Sequence, residues 1–220
     1  MDWHWSQQVD AYCERTDFSF WAEPLNALTN GGFVLAGLIL FLRWRGMARG
    51  LSAILVVIGV SSLLFHTYAT QWASAADVLP ILALILTYLY AISRHVWGLK
   101  RWAAAGITLG FFPYAAATVP IFALLPGLGS SAAYAPVPLL ILIEAAMISR
   151  FAPFFARRLA IGALILIVSL TFRTLDMPLC DALPFGTHFV WHILNALMLG
   201  YMIEIYARFR RDRGPRSRTA

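Results

Sequence analysis

The chain has 220 residues, of which 60% are hydrophobic and 13% are charged, and its mean hydropathy is +0.70. Soluble domains carry about a quarter charged residues, so this composition excludes a protein with a water-solvated surface. The net charge of +6 does not indicate nucleic-acid binding, because the basic residues separate apolar runs instead of forming one basic face. The first 25 residues lack the apolar core of a signal peptide, and we expect no cleavage there.

Seven apolar segments are long enough to cross a bilayer as helices, which takes about 20 residues each. They lie at 27–43, 51–70, 76–93, 102–122, 134–149, 159–176 and 186–207. Two prolines interrupt the fourth, which membrane helices tolerate when neighbouring groups bond the freed carbonyls. The sequence therefore predicts an all-α integral membrane protein, a bundle of seven transmembrane helices over 27–207, with an acidic external segment at 1–26 and a basic cytoplasmic tail at 208–220.

Basic residues follow alternate apolar segments and predict the orientation of the bundle. They cluster after the first, third, fifth and seventh segments, at 43–49, 94–101, 150–158 and 208–218. With seven spans all four clusters lie on one side, and only Arg15 and Arg173 fall near the other. The positive-inside rule then predicts an external N-terminus and a cytoplasmic C-terminus.

Ionisable side chains are costly inside a bilayer, so those at membrane depth are candidates for function. His66, Asp77, His188 and His192 all fall in the outer half of the predicted membrane. His188 and His192 are four residues apart, a spacing that puts both on one helix face and lets them share a metal ion. Together with His66 they would supply three nitrogen ligands and leave a position open, as in catalytic zinc sites.

Other interpretations of these residues remain open at this point. The histidine pair can be packed core, or one of the two can join His66 as a haem ligand. Ser62, four residues before His66, can bond to a carbonyl of its own helix. Asp77 can act as the N-terminal cap of the third span. Glu144, in the fifth span, is interpreted as a packed or protonated residue without a function.

The order and spacing of these residues resemble the alkaline ceramidases. That family belongs to a superfamily of seven-helix membrane hydrolases that includes adiponectin-receptor-like proteins. The resemblance lies in three blocks, YCERTDFSFWAEPLNALTN, GVSSLLFHTYATQWASAADVLP and LDMPLCDALPFGTHFVWHIL. The blocks span most of the chain, and the region between the last two adds little. We expect a bacterial member, in the inner membrane, with its site towards the periplasm.

The resemblance implies a zinc-dependent amidase that hydrolyses the N-acyl bond of ceramide-like lipids, giving a sphingoid base and a fatty acid. His66, His188 and His192 would bind Zn²⁺, which polarises the carbonyl and lowers the pKa of its bound water towards ~7. Asp77 would carry a proton from that water to the leaving amine. Ser62 would donate a hydrogen bond to the developing oxyanion.

The resemblance also implies a calcium site in the N-terminal segment. Four carboxylates lie there, those of Asp10, Glu14, Asp17 and Glu23. Oxygen-rich clusters suit calcium, and a solvated acidic loop is the alternative. The segment departs from the family, because Asp10 is shifted upstream of the cysteine, Thr16 replaces an asparagine, and the stretch between the two glutamates is shorter.

Cys13 and Cys180 are the only cysteines in the chain. The predicted topology places both outside, where disulfides persist, and related ceramidases bridge matching positions. We therefore expect a Cys13–Cys180 disulfide, with two free thiols as the alternative.

Three other functions remain open on the sequence alone. The same site can hydrolyse another lipid acyl ester or amide, because zinc chemistry serves both bonds. A receptor-like or structural zinc protein is a second possibility, although it would not need Ser62 and Asp77. A haem-binding electron carrier is the third.

Overall fold

The structure, a computed structural model, describes residues 4–213, so residues 1–3 and the end of the predicted tail, 214–220, lie outside it. Within the described residues the chain is all-helical, without a β-strand. Seven of its helical segments are long and apolar enough to cross a membrane. The prediction of a seven-helix bundle of that kind is confirmed.

The helices follow one another with short connections. They are α1 (Pro24–Thr29), α2 (Gly31–Arg43), α3 (Gly46–Tyr68), α4 (Gln71–His95), α5 (Arg101–Leu109), α6 (Phe111–Ala123), α7 (Pro136–Ile148), α8 (Pro153–Leu175) and α9 (His188–Asp212). Short 3-10 helices precede α7, at Gly129–Ala133, and follow α8, at Met177–Leu179. The first span combines α1 with α2, and the fourth combines α5 with α6. Helix α9 continues past the predicted span, so residues 208–212 of the predicted tail are helical.

The fourth span is broken once, between α5 and α6 at Gly110. Pro113 explains the position of this break, because a proline ring conflicts with the carbonyl of the residue four before it. That residue is Leu109, the last of α5. The second proline, Pro120, lies inside α6 without ending it.

The spans pack as a closed ring. Each helix from α2 to α4 contacts the next helix in the chain, and each helix from α6 to α8 does the same. Helix α9 then returns to α2 and also touches α3. Leucine, isoleucine and methionine side chains fill the interior of the ring, whereas large apolar side chains such as Leu42 and Leu124 point outward, 77% and 83% exposed. Such an apolar exterior is what a bilayer solvates, and water does not.

The close approach of α2 to α3 depends on a glycine. A Cβ atom at Gly59 would lie 2.9 Å from the Asn30 carbonyl oxygen and 3.0 Å from the Phe33 Cβ. Small residues at such crossings let membrane helices pack backbone to backbone. The contact fixes the start of α2 against α3 and brings the N-terminal part of the chain to the end of the bundle where α3 finishes.

Only two residues connect α3 to α4, so the two helices are antiparallel neighbours. Ala69 ends α3 in the left-handed conformation, with φ of 46°, and Thr70 precedes the first residue of α4. This tight connection places the last turn of α3 and the first turns of α4 at the same end of the bundle. The first turn of α9 lies at that end too, because the ring of His188, its first residue, is 5.3 Å from the ring of His66 in the last turn of α3.

Candidate metal centre

Three buried histidines meet at this end of the bundle. His66 lies in the last turn of α3, His188 begins α9, and His192 follows one turn later. One ligand atom from each lies within 4.8 Å of the other two. Among the described residues, no other group of three or more His, Cys, Asp or Glu side chains converges in this way. The predicted gathering of the three histidines is confirmed, and the helix spacing of four explains two of its members.

The neighbours of His66 and His192 leave one nitrogen of each ring available to a metal. The Glu23 Oε2 atom lies 2.6 Å from His66 Nδ1. A neutral ring that donates from Nδ1 to this carboxylate has its lone pair on Nε2, which is buried without a hydrogen-bond partner. The Thr29 hydroxyl donates to the Leu25 carbonyl at 2.7 Å, so it accepts from His192 Nδ1 at 3.0 Å. Such contacts are typical of metal-binding histidines, which they orient.

The donor set fits zinc. Three imidazoles without a thiolate leave the fourth tetrahedral position open, as catalytic zinc sites do. The unpartnered nitrogens support this interpretation, because a buried ring nitrogen without a hydrogen bond is costly unless a ligand pairs with it. His188 Nδ1 is a second buried nitrogen of this kind.

Asp176 positions the ligand-bearing start of α9. Its buried carboxylate accepts the backbone N–H groups of Thr187 and His188. Gly186 makes this possible, because its φ of +61° lies in the left-handed region. A Cβ atom there would collide with the Asp176 carboxylate and lie 2.8 Å from the Cys13 Cβ.

The predicted disulfide is confirmed. Cys13 and Cys180 are bonded, with their Cα atoms 5.4 Å apart. The bond ties the N-terminal segment to the loop before α9 and brings Tyr12 onto the ring of His188, with centroids 3.7 Å apart. Burial raises the pKa of the Tyr12 phenol, although the Arg173 charge opposes the shift, so the phenol remains protonated. Tyr12 was not predicted from the sequence, where its only signal is its place beside Cys13.

Ser62 and Asp77 form a pair next to the histidines. The Ser62 side chain lies beside the Asp77 carboxyl group, and both residues line one cavity with His188 and His192. Asp77 Oδ1 is buried without a hydrogen-bond partner. The interpretation of Asp77 as a helix cap is wrong, because α4 begins six residues earlier, at Gln71.

The cavity at this pair is small and carries a guanidinium on its wall. It measures about 20 Å³, which is room for about one water molecule. Arg173 lines it, held by the hydroxyls of Ser130 and Ser131 at 2.8 and 3.0 Å and lying 5.0 Å from the Tyr134 ring. From the sequence, Arg173 was predicted only to be an isolated charge near the external side.

Two further cavities continue from the metal centre into the bundle. The next, of about 40 Å³, shares Tyr134, Trp191 and Asn195 with the first. The third, of about 80 Å³, follows between α4, α7 and α9 and is lined by apolar side chains except near Glu144 and Tyr88. Glu144 accepts a hydrogen bond from the Trp97 indole at 2.8 Å, in agreement with a packed residue.

The four N-terminal carboxylates do not converge on one point. Glu14 accepts the backbone N–H groups that open α1, those of residues 25 and 26, at 2.7 and 2.8 Å. Burial raises the pKa of Glu14, and these two hydrogen bonds offset part of that rise.

The other three carboxylates have separate surroundings. Asp17 Oδ1 accepts the Ser19 N–H, and hydrogen bonding to that residue lowers the pKa of Asp17. Asp10 lies exposed. Burial raises the pKa of Glu23, but the bonds to its side chain outweigh this effect and the pKa is lowered overall.

Comparison with known proteins adds no relative to this description. No protein-family model matches the chain, and no curated protein is significantly similar to it. A function can therefore be inferred only from the geometry of the site and from the residues of the three sequence blocks.

Proposed function

We propose that the protein is a zinc-dependent amidase that hydrolyses the N-acyl bond of ceramide-like lipids. The observation that carries the proposal is the cluster of three buried histidines, two of which, His188 and His192, line one small cavity with Ser62 and Asp77. A structural zinc site would be closed by a fourth protein ligand and would have no use for a carboxylate beside it. A receptor-like or purely structural role therefore fits this site less well.

His66, His188 and His192 would hold the ion through ring nitrogens. When bound, zinc supplies Lewis acidity to the substrate carbonyl and to the attacking water. Glu23 and Thr29 would keep the rings of His66 and His192 in the tautomers that ligation requires. The protein, and not the ion, would therefore set the orientation of these two rings.

Asp77 is the proposed acid and base of the reaction. It would accept a proton from the water whose oxygen adds to the carbonyl carbon, and then deliver that proton to the amine nitrogen as the C–N bond breaks. The second proton of the water stays on the new carboxyl group, so the products are a fatty acid, which then ionises, and an amine. Ser62 lines the same cavity as Asp77, and we propose that its hydroxyl proton is donated to the oxyanion once Asp77 is protonated.

Arg173 would add a cation where negative charge develops. Its guanidinium lines the same cavity as Asp77, and one nitrogen is held by two serines. Guanidinium groups pair well with carboxylates. We propose that Arg173 binds the carbonyl oxygen of the substrate during attack and the carboxylate of the fatty acid after cleavage.

The apolar cavities support a lipid substrate. They extend from the metal centre towards the middle of the bundle, where an acyl chain would lie among apolar side chains. Lipid pockets of this kind combine an apolar lining with a few polar groups at one end. The charge pattern of the loops supports an N-terminus and an active site on the outer side of the membrane, which is the periplasm if the source is bacterial.

Release of fatty acid from defined substrates tests the proposal. The full chain, reconstituted in lipid nanodiscs with zinc, is incubated with a ceramide and with a diacyl phospholipid of the same acyl length. We expect the wild type to release fatty acid from the ceramide. His188→Gln should lose this activity. His95→Gln should keep it, because the His95 imidazole bonds to Tyr206 outside the cluster. Release of fatty acid from the phospholipid alone would indicate an esterase instead of an amidase. No release from either substrate would contradict the proposal.

A further inference from the structure

The N-terminal segment contains a buried cation that the proposed reaction does not use. The Arg15 side chain is 1% exposed. Its Nε donates to Glu23 Oε1 at 2.5 Å, one terminal nitrogen donates to the Asp17 carbonyl at 3.0 Å, and the other to the His66 carbonyl at 3.0 Å. The guanidinium thus joins three oxygens from the N-terminal segment and from the end of α3.

The residues present do not fit the calcium ion that the ceramidase resemblance implies for this segment. Calcium takes six to eight oxygen ligands. Both oxygens of Glu14 already accept backbone N–H groups, and the two oxygens of Glu23 bind Arg15 and His66. A divalent cation beside Glu23 would also lie next to the fixed positive charge of Arg15, which like-charge repulsion disfavours.

We infer that Arg15 is a built-in cation that takes the place of a calcium ion and positions Glu23 against His66. The inference rests on the proposed metal-binding role of His66. Arg15 is a positioning residue, because it acts through Glu23 and touches neither the metal position nor the cavity of the substrate.

Glu23 is the group whose charge Arg15 compensates. A carboxylate that is buried to this extent, 3% exposed in its side chain, needs a partner charge, since an uncompensated buried charge is strongly destabilising. His66 cannot supply that charge while it is a neutral ligand. Arg15 supplies it permanently, because a guanidinium is not deprotonated in proteins.

The shape of the guanidinium adds a second argument. Its planar fork of donors reaches Glu23, the Asp17 carbonyl and the His66 carbonyl at once, which the single ammonium of a lysine cannot reproduce. A calcium ion would gather the same kinds of oxygen, a carboxylate and backbone carbonyls. The chemistry of the cluster is therefore that of a cation site whose cation is covalently part of the chain.

The test measures calcium and zinc in the same samples. Full-length protein in nanodiscs is stripped of metal and reloaded with zinc. Its calcium content, its zinc affinity by chelator competition and its melting temperature are then measured with and without millimolar calcium. For the wild type we expect no bound calcium and no change in either property. Wild-type protein that holds stoichiometric calcium, or whose melting temperature rises with calcium, would overturn the inference without any variant being needed.

Two variants probe the positioning role. Arg15→Ala and Glu23→Gln should each weaken zinc binding by about 10- to 100-fold, the usual effect of losing a group that orients a ligand. The oxygens of Glu23, Asp17 and His66 remain in Arg15→Ala, so calcium should recover part of its zinc affinity and melting temperature. The control is Arg157→Ala, at an exposed arginine of α8, which should match the wild type.

The outcomes separate this inference from the proposed function. Wild-type protein without zinc affinity would contradict the proposed function, and the calcium response of the melting temperature would still decide the role of Arg15. Zinc binding by Arg15→Ala as tight as that of the wild type, in folded protein, would contradict the positioning role alone.

Discussion

The Asp176 carboxylate accepts the backbone N–H of His188 at 2.8 Å, at the first residue of α9. Its oxygens also accept the N–H groups of Thr187 at 2.7 Å and Cys13 at 3.0 Å. One buried side chain therefore fixes the start of the helix that carries two candidate ligands and holds the N-terminal segment beside it. Asp176 links the disulfide to the metal centre.

Asp176→Asn should destabilise the protein and weaken metal binding. The amide keeps one acceptor oxygen and replaces the other with an NH₂ group, so at least one buried N–H loses its partner. Such a loss costs about 1–3 kcal/mol, which corresponds to roughly 2–12 °C in Tm for a chain of this size. Thermal unfolding in nanodiscs measures the change. Asp181→Asn, at an exposed aspartate of the same loop, is the control. An equal fall in Tm in both variants would show that Asp176 has no special role.

Asp77→Asn should separate catalysis from metal binding. Asp77 is not among the three converging ligands, so the variant should keep its zinc. Loss of a general acid and base lowers turnover by about 10² to 10⁴. Zinc content and the rate of fatty-acid release are measured on the same preparation. Turnover at the wild-type rate would leave Asp77 without a catalytic role.

Arg173→Gln should weaken both turnover and product binding. Removing a donor from a developing oxyanion costs about 10² in kcat. If Arg173 also holds the product carboxylate, inhibition by added fatty acid should weaken in the variant. Arg101→Gln, at an exposed arginine of α5, is the control. A variant with reduced stability but unchanged kcat and fatty-acid inhibition would show that Arg173 only ties α8 to the serines before α7.

Reduction of the disulfide should lower stability and disturb the metal centre together. The two cysteines are 167 positions apart, and chain-entropy arguments give loops of this size on the order of 4–5 kcal/mol. The bond also holds Tyr12 on the His188 ring. Intact mass and thiol labelling of unreduced, denatured protein should show no free thiol. The Cys13→Ser, Cys180→Ser double variant should melt earlier and bind zinc less tightly, and unchanged values of both would contradict this account.

Hydropathy predicted the spans, and helical spacing predicted the His188–His192 pair, because both are set by local periodicity. His66 was added to that pair because it falls at the same depth in the predicted membrane. An apolar run of about 20 residues has few alternatives to a membrane helix, and His188 and His192 share a face on any helix. The start of α4 was predicted five residues late, at 76 instead of Gln71, because the polar first turns of that helix have low hydropathy. That difference is why Asp77 could be interpreted as a cap.

The contacts around the histidines could not be predicted from the sequence. Arg15 reaches His66 across 51 positions and Asp176 reaches Cys13 across 163, and no local pattern reports pairs at such separations. The predicted calcium site is an example. The carboxylates of the N-terminal segment suggested a cation site, and only the fold shows that Arg15, inside the same segment, already binds Glu23.

The metal content of purified protein tests the central claim most directly. We predict one zinc per chain in the wild type, measured by mass spectrometry of the metal after exhaustive washing. His192→Ala should lose it, because two remaining ligands are too few for tight binding, and His95→Ala should keep it. Full retention of zinc by His66→Ala, His188→Ala and His192→Ala alike would contradict the account.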